Sequence, residues 1–454
     1  GQFWPVQRCV TFNRDALLLA LNALTEDAET PRRYVVGFSG GLDSTVLLHA
    51  LAETAAEHNI PLLAIHVDHG MQPESASWAG RCQATAEQFG VEFRLQRVDV
   101  DVDGGMGPEA AARAARYAAL SNLMSAGDWL LSAHHEDDQA ETLLLNLMRG
   151  SGPAGLAGIA AIRRLEPGWL ARPLLAFPRA ALEQYAAQHG LSWIEDPSNA
   201  ERSLDRNYLR HEILPLLEAR WPGASQRLSR SSRIAADAAA MLDDLAAIDV
   251  AALGGRYDRL RLDGLVALSG ARQRNLLRYA IKALGLAAPS AVQLQRIIDE
   301  VVLARADAEP VLAWSNVEVR RFRKQLYILQ SAEKETTPAA ISFGQHDYQD
   351  LGAGLGALRL EHGVSRGLDS ALLRRGLELK YRQGGEKIKP INQSHTKTLK
   401  NLLNEESIVP WMRDRIPLLY AGDRLVAVAD LWLAQDAVAS PGVAIHWENR
   451  PPIH

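Results

Sequence analysis

Residues 34–44 read Tyr34-Val35-Val36-Gly37-Phe38-Ser39-Gly40-Gly41-Leu42-Asp43-Ser44, and the fold is decided there. Tyr34 to Phe38 is a short apolar, β-branched run, the pattern of a buried strand, and it stops at Ser39-Gly40-Gly41. Beyond it, Val46, Leu47, Ala50 and Leu51 recur as on a helix lying against a sheet. The join is therefore a strand-to-helix turn. Two glycines let its backbone approach an anion, the helix N-terminus supplies free amides, and Ser39 and Ser44 add hydroxyl donors. Asp43 conflicts with plain anion binding, since a carboxylate repels phosphate. A Mg²⁺ bridging Asp43 to the phosphates resolves the conflict. Residues 42–45 read Leu-Asp-Ser-Thr, so the lysine of a Walker A loop is missing. A glycine-rich turn with an Asp or Ser helix cap is common; placement between a buried strand and a helix is what points to nucleotide phosphates.

Outward from this turn the alternation repeats. Pro61 to Asp68 is a second buried strand with a polar end, Trp78 to Phe89 a helix, and Glu92 to Val98 a third strand. Glu109 to Met124 is Ala-rich and helical, Trp129 to Ala133 is a fourth strand, and Asp137 to Met148 is a helix. This predicts an α/β fold: a doubly wound parallel sheet with helices on both faces and its ligand at the carboxyl ends of the strands. After the turn-rich Gly150-Ser151-Gly152-Pro153, the chain passes Arg172-Pro173-Leu174-Leu175 and a helix from Arg179 to His189. Composition changes after Pro222-Gly223. Residues 225–308 are largely Ala, Leu and Arg at helical spacing, and Val317 to Leu329 alternates as strands do. Ser331 to Pro338 reads as a polar linker, and short strands beyond Ile341 predict a small α+β region. Three domains are expected, over residues 1–222, 223–330 (mostly helical) and 341–454.

The 454 residues are 47% hydrophobic and 23% charged, ordinary for a soluble globular chain. A formal charge of -5 argues against coating nucleic acid by bulk electrostatics, though a local basic face is compatible with it. Two cysteines, Cys9 and Cys82, exclude a disulfide framework and any CxxC metal or redox site. No apolar run approaches the ~20 residues that span a bilayer, and Gly1 to Phe12 lacks a secretory apolar region. Gly1 in place of Met suggests a processed start. A cytoplasmic protein without a membrane segment is expected.

Two further polar clusters sit at strand ends. His66-Val67-Asp68-His69-Gly70 closes the second strand, and His134-His135-Glu136-Asp137-Asp138-Gln139-Ala140-Glu141-Thr142 follows the fourth. His134, Asp138 and Glu141 are spaced i, i+4, i+7, which predicts one helical stripe. One histidine and two carboxylates suit a metal or a base near neutral pH. An acidic first turn is favoured by the helix dipole alone, but that leaves the paired histidines unexplained.

The turn resembles the PP-loop of the N-type ATP pyrophosphatases, which split ATP between the α and β phosphates and adenylate a substrate. Together with residues 66–70, 134–142 and Arg149-Gly150-Ser151-Gly152-Pro153-Ala154-Gly155-Leu156, it is similar to the tRNA(Ile)-lysidine synthetase family in its long three-domain form. The likeness extends through residues 109–117, 172–175, 193–199, 205–210, 382–386 and 411–418. Residues 225–375 match more in length and helical character than in motif. Met71 and Glu136 depart from the family's usual residues without removing a functional group.

The resemblance implies an adenine nucleotide alpha hydrolase-like catalytic domain that joins free L-lysine to C2 of the wobble cytidine in the CAU anticodon of an isoleucine tRNA. ATP becomes AMP and pyrophosphate through an adenylated cytidine. Ser39, Gly40, Gly41, Leu42, Asp43, Ser44 and His66 are the expected ATP residues, with Asp43 holding Mg²⁺. Asp43, His134, Asp138, Glu141, Arg113 and Arg116 are the expected catalytic set, with His135 a further candidate base. Arg206, Arg210, Lys387, Lys389 and Lys397 are expected to meet tRNA, as are Lys400 and the arginines 227, 230, 233, 272, 274 and 278. A homodimer is the candidate assembly.

Other classes fit less well. A PP-loop tRNA thiolase makes a similar adenylate, but such enzymes usually depend on cysteine pairs that Cys9 and Cys82 do not supply. GMP and asparagine synthetases generally carry a glutaminase domain, and none is visible in the sequence. A nucleotide-sensing RNA-binding protein with a relict loop is disfavoured by the intact Asp43, Asp138 and Glu141.

Overall fold

The run around Val35 becomes strand β1 (Arg33–Gly37), at the heart of a six-stranded sheet of order β3-β2-β1-β4-β6-β5. The other strands are β2 (Leu62–Asp68), β3 (Glu92–Arg97), β4 (Asp128–Leu131), β5 (Ile162–Leu165) and β6 (Gly168–Ala171). The computed structural model describes residues 11–454 apart from 27, 59, 71–74, 99–107, 196–204, 306–307, 332–340, 345, 353 and 392. Cys9, Met71, residues 196–199 and most of the expected linker lie outside the described residues.

β1 runs parallel to both neighbours, pairing Val35 with Leu63 on one side and with Leu130 on the other. β3 and β6 continue the parallel arrangement, while β5 folds back antiparallel on β6 as an edge strand. The expected parallel sheet thus carries one antiparallel edge. Its hairpin turn is Glu166-Pro167, which the strand-helix pattern did not signal.

Alternate residues of β1 face opposite sides, as a pleated strand requires. Tyr34 and Val36 join a core with α1 (Arg14–Leu24), α2 (Leu42–His58), α3 (Ser75–Gln88) and later α7 (Arg179–Gln188). Val35 instead joins Ile65, Leu130, Leu170 and Leu120 of α4 (Pro108–Asn122). Each fully buried aliphatic side chain contributes roughly 1.5–3 kcal/mol, so both faces stabilise the strand. Beneath the sheet's amino edge, Arg33 pairs with the buried Asp128, tying β1 to β4. That arrangement leaves the carboxyl ends of β1, β2 and β4 for chemistry. α5 (Glu136–Met148) starts just past β4, followed by the short α6 (Pro153–Leu156).

Further along, α8 (Asp205–Tyr208) passes through a π-helical segment, Leu209–Ile213, into α9 (Leu214–Arg220). The chain divides into two compact units, residues 1–241 and 242–454, and the division falls within the long α10 (Ala224–Ala252).

Within the second unit, α11 (Leu262–Ala267), α12 (Gly270–Ala283) and α13 (Ala291–Arg296) share a core with a four-stranded antiparallel sheet. Residues beyond Phe343 form a second core around two five-stranded sheets, built from strands such as Ala357–Val364 and Gly442–Glu448. Among the described residues no helix is long and apolar enough to cross a membrane.

Candidate active site

The phosphate turn is built for a glycine at its second position. Gly40 has φ +82°, and a Cβ there would stand 2.6 Å from Cys82 Sγ and 2.8 Å from Ile194 Cδ1. Its carbonyl accepts from the Ile194 N–H at 2.8 Å, so residue 194 fixes the turn from outside. Ser39 and Ser44 lie Oγ to Oγ at 3.0 Å, and Ser44 donates to the Gly41 carbonyl at 3.1 Å. α2 opens at Leu42, so the first amides of a helix, which lack intrahelical partners, belong to residues 42–44. His66 Nδ1 meets the Phe38 carbonyl at 2.9 Å, and burial lowers the pKa of the ring. A neutral His66 therefore donates from Nδ1 and tethers the end of β2 to the residue preceding Ser39.

Asp43 occupies the first turn of α2. Burial raises its pKa, partly offset by His135 and Arg179. Its Oδ1 is buried without a hydrogen-bond partner among the described residues. A buried carboxylate oxygen left open at a phosphate turn suits a hard cation with oxygen ligands, so Asp43 fits Mg²⁺.

His135 joins this turn to the second carboxylate group. Its Nε2 stands 3.6 Å from Asp43 Oδ2 and 3.5 Å from Asp138 Oδ2, and its Nδ1 is 3.6 Å from Asp137 Oδ2. Burial works against a charge on His135, but Asp137, Asp138 and Asp43 around it outweigh burial and raise its pKa. Asp137 itself accepts from the Arg179 N–H at 2.8 Å, docking the start of α7.

α5 begins at Glu136, so the expected three-residue stripe is corrected: His134 precedes the helix, and only Asp138 and Glu141 share its face. His134 turns its Nδ1 to Ser132 Oγ at 2.6 Å. Burial drives its pKa down to about 3, so it is a neutral imidazole.

Asp138 Oδ2 accepts from the His135 N–H at 3.0 Å, and Oδ1 accepts from Arg206 at 3.1 Å and Arg210 at 3.2 Å. Burial resists its ionisation, but His135, Arg206 and His134 hold the pKa at about 2. Glu141 has no exposed surface and takes Arg206 Nε at 2.7 Å and Arg210 Nε at 2.6 Å. Arg206 and Arg210 thus lie on the acidic pair, four residues apart across the start of the π-helical segment.

The remaining expected residues are spread more widely. On α4, Arg116 donates to His69 Nε2 at 3.4 Å, and Arg113 stacks on Tyr117 with its guanidinium 5.6 Å from the ring centre. In the second unit, Lys387 and Lys397 lie on the paired strands 387–388 and 397–398, where Lys397 Nζ meets Glu405 at 2.8 Å. Lys387 and Lys389 are exposed. Arg272 pairs with Asp249, and Arg278 hydrogen-bonds Asn275.

Sequence reasoning gave no role to Arg179, Cys82 or Glu136. Burial and the neighbouring Asp137 push the Glu136 carboxyl up to about 7. Its departure from the family's apolar residue was the available signal. Glu136, Asp137, Glu141, Arg210, Arg179 and Glu218 help to line a cavity of about 690 Å³ on the α7 side of the pair.

The fold and turn define a PP-loop enzyme, and the family model described as a PP-loop domain matches residues 15–217. Models described as the TilS substrate binding domain and the TilS substrate C-terminal domain match residues 260–327 and 377–447. The chain is 38% identical over 453 residues to a tRNA(Ile)-lysidine synthase of Coxiella burnetii, covering 99% of each chain. It is 41% identical over 425 residues to one of Alkalilimnicola ehrlichii, covering 92% of this chain and 94% of that one. The chain belongs to the tRNA(Ile)-lysidine synthase family. Among solved structures, the U34-tRNA thiolase NcsA of Methanococcus maripaludis is similar over 49% of this chain and 78% of that one, at 21% identity and a TM-score of 0.42.

Proposed function

We propose that this enzyme joins free L-lysine to C2 of the wobble cytidine in a CAU anticodon of isoleucine tRNA, in the cytoplasm, converting ATP to AMP and pyrophosphate. The observation that carries this reading is the convergence of the phosphate turn and the carboxylate pair on His135, 3.6 Å from Asp43 and 3.5 Å from Asp138. Family membership supports the choice of tRNA and of ligation.

The C2 oxygen of cytidine is a poor leaving group and must be activated. Its attack on the α-phosphorus of ATP forms an adenylate and expels pyrophosphate. The amides of residues 42–44 and the hydroxyls of Ser39 and Ser44 would bind the charge that develops on the leaving oxygens. Asp43 would hold Mg²⁺, which supplies further positive charge against the pyrophosphate.

An amine of lysine then bonds to C2, the C2–oxygen bond breaks, and AMP leaves with that oxygen. Lysine arrives as an ammonium ion. Arg206 and Arg210 offset the charge of Asp138 and Glu141, so the carboxylates of Asp137, Glu183 and Glu218 along the cavity beside Glu141 would draw it in. The amine must lose a proton before it attacks, and His135, whose pKa is raised by the surrounding Asp137, Asp138 and Asp43, would take it more readily than His134 or Asp138, which hold a proton weakly. Arg113 and Arg116 would steady phosphates at the ends of β2 and β4.

The target base must leave its stack to reach this site. Exposed Lys387 and Lys389, with Lys397, would contact the tRNA backbone. We retain residues 1–222 as the catalytic domain, with 223–330 and 341–454 as tRNA-binding domains. Incubating the protein with CAU transcript and ATP labelled at the α-phosphate, without lysine, tests the order of steps. Label should pass to the RNA and be released as AMP when lysine is added; release of AMP without any RNA-bound label would overturn the adenylate route.

A further inference from the structure

A second constellation lies on the helix pair α2 and α7, away from the phosphate turn. His49 and Glu53 are four residues apart on α2, one helical turn, and so share a face. His189 follows the last residue of α7. One ligand atom from each of the three lies within 4.8 Å of the others.

Tyr185 organises the group from below. Its hydroxyl meets His49 Nδ1 at 3.0 Å and Glu53 Oε2 at 3.3 Å, and its ring stacks on His189 at 4.1 Å between centroids. The hydroxyl has a single proton to give, and it donates to Glu53. A hydroxyl that donates to Glu53 must accept from His49. His49 therefore carries its proton on Nδ1, and Nε2 is left with its lone pair.

We propose that His49, Glu53 and His189 form a site for a divalent transition metal of the zinc class, with Tyr185 as the outer residue that orients two of its ligands. Two imidazoles and one carboxylate, with water in a fourth position, are a regular zinc donor set. Bonds of ~2.0–2.2 Å in a tetrahedral site set donors roughly 3.4 Å apart, so the ligands need to close by about an ångström. Glu53 and His189 are exposed and have room to do so. The hydroxyl on the far side of His49 is the kind of outer partner that fixes a ligand histidine's tautomer. Metal here would brace α2, which opens with the phosphate turn, against α7, whose first N–H is held by Asp137.

The test is calorimetric titration of the metal-stripped full-length protein with Zn²⁺, alongside His189→Ala and Tyr185→Phe. Wild type should take up one equivalent more than His189→Ala and gain in melting temperature where that variant gains less. Tyr185→Phe should keep the stoichiometry but bind about tenfold or more weakly. Equal uptake and equal thermal shift in wild type and His189→Ala would overturn the site. Circular dichroism without metal establishes that the variant is folded; if it is not, Glu53→Gln carries the same comparison.

Discussion

Arg210 holds both oxygens of Glu141, with Nε 2.6 Å from Oε1 and a terminal nitrogen 3.1 Å from Oε2. The carboxylate has no exposed surface, so this fork and Arg206 are what make its burial tolerable. The pair belongs to helices 69 residues apart in sequence, and it secures the element bearing the π-helical segment to α5.

Removing one partner of a buried pair leaves the other uncompensated. Arg210→Ala should cost about 3 kcal/mol in urea unfolding, reduced by whatever Arg206 takes over. Arg210→Lys keeps the charge without the fork and should fall between the two. A lysine variant as stable as wild type would show that geometry adds nothing there.

At the phosphate turn, Gly40→Ala faces both a positive φ and two close neighbours, Cys82 Sγ at 2.6 Å and Ile194 Cδ1 at 2.8 Å. The expected cost is on the order of 1–3 kcal/mol, with ATP affinity lost as the turn shifts. Gly41→Ala meets only Ser39 Oγ at 3.6 Å and should be milder on stability. Melting curves and nucleotide titration of both variants check the contrast.

Glu136 makes stability depend on pH. Its folded pKa is raised to about 7 from an ordinary 4.5, by burial and Asp137, with Glu218 adding and Arg233 and His135 opposing. The folded state therefore holds a proton that the unfolded chain has lost, and stability falls as pH rises from about 4.5 to about 7. The residue is only 7% exposed, and the loss is on the order of 1–3 kcal/mol. Glu136→Gln should flatten that slope in urea unfolding between pH 5 and 7.5; an unchanged slope would assign it to other groups.

Asp43→Asn keeps the shape of the turn but weakens its hold on a cation. Pyrophosphate release should fall by about 10²-fold or more while the protein stays folded. Turnover equal to wild type would remove Asp43 from the metal role.

The sheet was legible because local patterns decided it. Tyr34 to Phe38 and Pro61 to Asp68 are apolar runs that end in polar clusters, and these ends meet because β1 pairs with both β2 and β4. The β5–β6 hairpin is not legible in the sequence, since Ile162-Arg163-Arg164-Leu165 carries no strong strand signal. The spacing of Asp138 and Glu141 predicts one helical face, and both lie on α5. Their pairing with Arg206 and Arg210 is not legible in the spacing, because two arginines four apart look the same whether they face RNA or a buried acid. The i, i+4 spacing puts His134 on the helical stripe because it ignores where the helix begins; the start at Glu136 moves it onto the preceding link. His135, between Asp43 and Asp138, proved the more central histidine.

The central claim concerns the transferred group and its acceptor. Labelled free lysine should enter an isoleucine tRNA transcript bearing CAU, only when ATP is present and with one AMP formed per lysine joined. Absence of ATP-dependent lysine transfer to that RNA, from a protein that is folded and binds ATP, would contradict it.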